Sequence, residues 1–168
     1  MPAVTLEQLL ESRDNRAAHQ KDLLEHHPGN SLLCLTVQLP GPEKRNALSR
    51  AIAQAGVEAI RAAFSPVGEE LRDLETGFEA YYLLAGDPLE TKRQACRLED
   101  THPLGRLFDL DVIATPGTPL SRTDIGLPAR RCLLCKNEAR YCMRARTHTL
   151  QELLSCMEQM VKNYESSI

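Results

Sequence analysis

Two carboxylates one residue apart, Asp109 and Asp111, lie in the segment running from His102 to Val112, HPLGRLFDLDV. An extended backbone turns successive side chains to opposite sides, so both acids point the same way while Phe108, Leu110 and Val112 fill the other. Like charges this close repel unless a cation or a shared proton relieves them. Hard oxygen ligands at this spacing suit a magnesium ion that also holds phosphates. The competing reading is a strand end whose polar face is simply wet. Just upstream, Gly105 would let a phosphate come close to the backbone, and Arg106 could clamp it. Lys92 and Glu99 stand two helical turns apart on one face of the preceding helix, which is a solvated surface unless that face adjoins the aspartates.

A second group of ligand types is Cys132-x2-Cys135-x6-Cys142-x5-His148. Three thiols and an imidazole match a tetrahedral zinc site in number and kind, and a closed four-ligand site holds a fold rather than doing chemistry. The alternative is packing: if a helix runs on from about Glu138, Cys135, Ala139 and Cys142 fall along one face beneath the C-terminal helix. Cys34, Cys96 and Cys156 sit at apolar positions and are expected in the core. Arg130, Arg131, Arg140, Arg144 and Arg146 surround the cysteines as a local cationic cluster. It reads as a solvated face, or as a docking or polyphosphate-binding surface, since arginine suits bidentate phosphate recognition.

Elements must position these groups. Thr5 caps a helix whose apolar residues recur at helical spacing to about His26, where Pro28-Gly29 ends it. Ser31 to Leu39 reads as a strand closed by Pro40-Gly41-Pro42, in a loop that carries Lys44 and Arg45. A second helix spans about Asn46 to Phe64, followed by short strands near 70–75 and 79–84 in which Phe78, Tyr81 and Tyr82 are buried candidates. Pro88 starts a third helix reaching about Thr101. The strand from about Leu107 to Ala114 bears the aspartates, 115–128 reads as a hairpin or loop, and a last helix covers about Leu150 to Asn163. This order predicts an α+β fold with helices over a mixed or mainly antiparallel sheet.

At 168 residues and 42% hydrophobic content the chain suits one domain, 1–168, with the Cys/His part beginning at about 130. The formal net charge is −3 with both signs interspersed, so bulk electrostatics implies neither nucleic-acid nor membrane binding. No stretch approaches the roughly 20 apolar residues of a membrane span, and no basic start precedes an apolar run. A soluble, cytoplasmic protein is expected, with its six cysteines as thiols or metal ligands rather than disulfides.

Several short motifs occur in one order: Gly41-Pro-Glu-Lys44, Thr76-Gly77-x-Glu79, Lys92, the HPLGRLFDLDV segment, Arg130-Arg-Cys-Leu-Leu-Cys135, and Cys142-x-Arg144-x3-His148. Together they resemble the holo-citrate lyase synthases, the apo-citrate lyase phosphoribosyl-dephospho-CoA transferases, over about residues 5 to 160. The resemblance implies a nucleotidyltransferase-like fold. It implies transfer of 2'-(5''-triphosphoribosyl)-3'-dephospho-CoA to a serine of the acyl carrier subunit of citrate lyase, with release of diphosphate. Under that reading Asp109 and Asp111 hold magnesium, with Glu79 as a third carboxylate. Lys92, Gly105, Arg106, Lys44 and Arg131 bind substrate, Arg45 is a weaker candidate, and His102 is a candidate general base or a structural cap. One departure from nucleotidyltransferase pattern is that Gly105-Arg106 stands only a few residues ahead of the acids, where a glycine-serine or double-glycine turn usually lies farther off. Rival readings are a zinc-stabilised interaction module without catalysis, and a nucleotidyltransferase with another acceptor.

Overall fold

The computed structural model describes residues 3–168. Helix α1 (Leu6–His26) begins with a reciprocal cap in which the Thr5 hydroxyl accepts from Gln8 N–H and the Gln8 side chain accepts from Thr5 N–H. Strand β1 (Ser31–Val37) is buried along its whole length, as the apolar residues Leu32 to Leu35 on both of its faces require of a central strand. Then come α2 (Ala47–Ala63), the hairpin strands β2 (Gly68–Leu74) and β3 (Gly77–Leu84), and α3 (Pro88–Thr101). Strands β4 (Asp109–Ala114) and β5 (Thr118–Leu120) follow, then α4 (Ala139–Ala145) and α5 (Leu150–Ser167).

The five strands form one sheet in the order β2-β3-β1-β4-β5, with every neighbouring pair antiparallel. The α+β expectation holds, and its antiparallel option is the correct one. One face of the sheet packs Leu33, Leu35, Leu110 and Val112 against Ile52 and Ile60 of α2, Ala95 of α3, and Met157 and Val161 of α5. Burying a side chain of this size stabilises by about 1.5–3 kcal/mol, so this face carries most of the core. The other face buries a smaller cluster, Leu32, Cys34, Tyr81, Leu83 and Ile113, against Leu24 of α1.

That smaller face becomes polar toward one end. Register places Arg72, Glu79, Thr36 and Asp109 side by side across β2, β3, β1 and β4, and Glu70, Tyr81, Cys34 and Asp111 in the next row. Leu110 and Val112 enter the main core, so the alternation expected for the aspartate strand is realised.

Differences from the expected boundaries cluster around β4. The strand starts at Asp109 because Gly105–Leu107 forms a 3-10 turn. The 115–128 stretch contains β5 and a second 3-10 turn at Arg122–Ile125. A helix does form after Glu138, but it starts at Ala139, so Cys135 lies in the preceding loop and not on its face.

Candidate active site

Asp109 and Asp111 stand on the polar end of the smaller face and differ sharply in surroundings. The Asp109 carboxylate is 58% exposed; its Oδ2 accepts from the Thr36 hydroxyl at 3.3 Å, and its Oδ1 lies 3.9 Å from Arg130 Nη1. Asp111 sits deeper. Burial, and then the neighbouring Asp109 charge, push its carboxyl up to about 6, against the pull of Lys92 and Arg16. A carboxylate pair whose inner member resists ionisation is a pair in want of positive charge.

Asp109 opens onto a cavity of about 550 Å³ walled by the end of β1, the 105–108 turn, α4 and α5. Lys44, Arg106 and Arg130 line it, together with Cys132, Cys142 and His148. The Lys44 ammonium donates to the carbonyl of Leu39, and burial lowers its proton affinity. Arg106 and Arg130 brace each other's segments, Arg106 donating to the carbonyl of Arg131 and Arg130 to that of Arg106 at 2.9 Å. Burial and the neighbouring Arg130 charge lower the Arg106 proton affinity, as expected where cations converge on a place for an anion.

Glu99 is the hub that aims Arg130. Only 3% exposed, it accepts from Arg122 at 2.9 Å through Oε1 and faces Arg130 at 3.3 Å through Oε2. The same Oε2 accepts from the backbone N–H of Leu110 at 3.2 Å. Lys92, 6% exposed, donates to the carbonyl of Leu110 at 3.4 Å. The two side chains thus satisfy the backbone edge of β4 below the point where short β5 begins. Their shared helix face is therefore buried against the aspartate strand, and the solvated-surface reading fails.

Several residues expected at the site make other contacts. A Cβ at Gly105 would lie 2.2 Å from the carbonyl oxygen of Glu99, so close packing on the end of α3 by itself requires glycine there. Lys92 is spent on the strand backbone and does not line the cavity. Arg131 is exposed and donates to the carbonyl of Lys136 at 2.6 Å; its neighbour Arg130 is the arginine that faces the aspartates. Arg45 turns away to Asp73 at 3.1 Å. Glu79 is held by Arg16 at 3.6 Å and by the Tyr81 hydroxyl, with Thr36 between it and Asp109. His102 caps α3: its Nδ1 accepts from Leu104 N–H at 2.9 Å, and its ring packs on Phe108 and Tyr164 with centroids 5.0 and 5.3 Å away.

Arg16, Thr36 and Arg122 are the participants that motif reading missed. Arg16 had a signal: with Gln20 and Leu24 it repeats every fourth residue along the inner face of α1, where an arginine is out of place unless it meets an acid.

The Cys/His group converges. Cys132, Cys135, Cys142 and His148 each offer a ligand atom, all within 4.8 Å of one another, and theirs is the one such set of three or more metal-ligating residues among the described residues. The Cys135 and Cys142 sulfurs lie 3.5 Å apart, too far for a disulfide and close to the spacing that thiolates adopt around one zinc. Burial acts to raise the Cys132 thiol, but the N–H groups of Leu134 and Cys135, together with the Cys142 and Cys135 thiols, outweigh it and bring it down to about 7, which favours the metal-binding thiolate. Helix α4 ends with Arg146 in the left-handed conformation, φ 51°, and the returning chain places His148 with its Nε2 buried and without a hydrogen-bond partner. That orphaned nitrogen is what an absent ion would satisfy.

A pair of carboxylates near convergent arginines is an arrangement chemically suited to a phosphate-linked group and its counter-ion. Residues 4–164 match the model of the apo-citrate lyase phosphoribosyl-dephospho-CoA transferase family. Apo-citrate lyase phosphoribosyl-dephospho-CoA transferases of Escherichia coli O1:K1 and Shigella flexneri serotype 5b are each 39% identical over 169 residues, covering 98% of this chain and 92% of theirs. The chain belongs to this family of transferases.

Proposed function

We propose that this protein attaches the phosphoribosyl-dephospho-CoA group to the carrier subunit of apo-citrate lyase, using the triphosphoribosyl form as donor and a carrier serine as acceptor. The observation that carries the reading is Asp109, which neighbours the more deeply set Asp111 on β4 and opens onto a 550 Å³ cavity that Lys44, Arg106 and Arg130 also line. The serine oxygen forms a bond to the donor phosphorus as the bond from that phosphorus to the diphosphate oxygen breaks, and the serine proton leaves with the diphosphate. Such a transfer asks the protein mainly for positioning and charge neutralisation. Arg106 and Arg130 bind phosphate oxygens, Lys44 holds the far end of the triphosphate, and Thr36 fixes one Asp109 oxygen so that the other faces the cavity.

Asp109 and Asp111 suit magnesium, because two adjacent carboxylates with one resisting ionisation favour a hard dication; when bound it would neutralise the triphosphate and the leaving diphosphate. Cys132, Cys135, Cys142 and His148 suit a structural zinc, with the Glu152 carboxylate 4.0 Å from His148 Nδ1 to orient the ring.

Purified protein incubated with apo-carrier, donor and magnesium should add the donor mass, less diphosphate, to the carrier serine. Labelling from ATP with none from the triphosphoribosyl donor would replace this reading with that of a transferase of different substrate. No labelling from any nucleotide, with zinc bound, would leave a non-catalytic interaction module.

A further inference from the structure

Six of the twenty Lys and Arg residues fall between 130 and 146, where Glu138 is the only acid. Arg130 is committed to Glu99 and Asp109. Arg140, Arg144 and Arg146 are exposed and form no ion pair among the described residues, in contrast to most buried and half-buried arginines of the chain. On the same short helix Tyr141 is 58% and Met143 79% exposed. Met143 and Ala139 also line the cavity that holds Asp109, so this surface is the rim of the site and not a remote patch. The buried side of α4 is Cys142 alone, fastened to the Cys/His group.

We propose that the outer surface of α4, Arg140 and Arg144 flanked by the exposed Tyr141 and Met143 and followed by Arg146, is the docking surface for an acidic, amphipathic surface of the carrier protein. This rests on the transferase reading of the cavity. The charge argument selects the occupant: in a chain of net charge −3, an isolated cluster of unpaired arginines attracts an acidic partner, and two exposed apolar side chains among them favour an amphipathic protein surface over a naked polyanion. Continuity argues the same way, because an acceptor serine must reach the cavity over this rim while the donor fills its interior. Fastening the surface through Cys142 to the Cys/His group fixes its angle to the aspartates without a large core.

The test is steady-state kinetics of the full-length, metal-replete enzyme with separately varied carrier and donor. R140E/R144E/R146E should raise KM for the carrier at least tenfold, leave KM for the donor and kcat at saturating carrier within twofold, and flatten the decline of kcat/KM with added salt. An equal charge change elsewhere, R13E/K21E/R97E, should alter neither KM more than twofold. Unchanged carrier KM in the triple variant, with zinc content and melting temperature unchanged, overturns the proposal. A rise in donor KM instead assigns the arginines to the triphosphate and likewise overturns it. Arginine-dependent inhibition by a short DNA duplex at concentrations that match the carrier KM would show an unselective polyanion surface and overturn it too. If the unmodified enzyme itself fails to label the carrier, the transferase reading has failed instead. The two failures are thus distinguished.

Discussion

Asp109 and Asp111 ride on a strand whose intervening residues Leu110 and Val112 are 1% and 0% exposed; Cys132, Cys135, Cys142 and His148 ride on a stretch in which Cys132 and Cys142 are themselves the only buried residues between 130 and 148. The first pair is aimed by the sheet. Its cost, two like charges on one face, is offset by groups from three other elements: Arg16 on α1, Lys92 on α3 and Arg130 in the loop before the cysteines. The second group has almost no apolar support, and its geometry must come from its own ligands. The two regions nevertheless wall one cavity. Under the proposed function a rigid core holds the reacting charges while a thin segment tied by its Cys/His group carries the rim, and each is then open to perturbation without the other.

The largest effect should come from the aspartates. Asp109→Asn and Asp111→Asn should each reduce transfer by about 10³-fold or more, the scale of losing a charge-stabilising group at a phosphoryl centre. Because Asp111 resists ionisation, Asp111→Asn should also raise the thermal stability of the metal-free protein, by about 1 kcal/mol against a ceiling set by its shift from the ordinary carboxyl value. Loss of activity together with loss of stability would mean that the acid supports the fold and not the reaction. Melting curves and carrier labelling on the same preparations decide it.

Cross-linking of the rim should show next. Purified protein should carry close to one equivalent of zinc, and Cys142→Ser should abolish it. Removal should lower activity by about 10–100-fold and open the 130–149 stretch to protease, while the sheet's own melting transition moves little. Global unfolding on chelation would break the comparison, since the segment would then be integral to the core. Less than half an equivalent of metal, with unaltered protease resistance after chelator, would leave cysteine packing as the explanation.

Glu99 joins the two regions and should respond in both. Glu99→Gln keeps the shape but leaves Arg122 with Asp100 at 3.0 Å and Arg130 with Asp109 at 3.9 Å as their remaining charge partners, a loss of about 2 kcal/mol on the scale of hydrogen bonds to charged groups. Transfer should fall by about tenfold, because Arg130 is no longer held toward Asp109. Denaturant unfolding and carrier labelling check the two numbers. A stability loss with unchanged transfer would show that Arg130 needs no guide.

How much of this was readable in the sequence follows from the range of each interaction. The acidic pair and its apolar neighbours obey a two-residue alternation, the helix starts are local caps at Thr5 and Asp87, and the Cys/His spacing lies within one stretch; each could be read directly. The charge partners could not. Glu99 meets Arg122 and Arg130 only because α3 and the chain after β5 lie along the same edge of β4, and Arg16 meets Glu79 across the sheet face, so both depend on topology. Gly105 was ambiguous because a glycine before an arginine can serve a phosphate or a tight packing, and the packing shows only in the fold, as the 2.2 Å approach of the Glu99 carbonyl to an ideal Cβ. Arg130 and Arg131 differ by one position in a segment with no periodicity to say which turns inward.

The smallest effect should be at His102, where motif reading and geometry part most clearly. A general base taking the serine proton would cost about 10²–10⁴-fold on removal. The imidazole instead accepts the Leu104 N–H through Nδ1 and packs between Phe108 and Tyr164, and burial lowers its proton affinity. His102→Asn leaves a side-chain oxygen able to accept the same N–H, so it should cost about 1 kcal/mol, from lost ring packing, and change kcat by less than about twofold. The pH profile of kcat should also keep its shape, because the group removed does not exchange a proton with the substrate. A hundredfold loss at unaltered melting temperature would return the histidine to the chemistry, and would require the 102–108 turn to swing it toward Asp109 when the carrier binds.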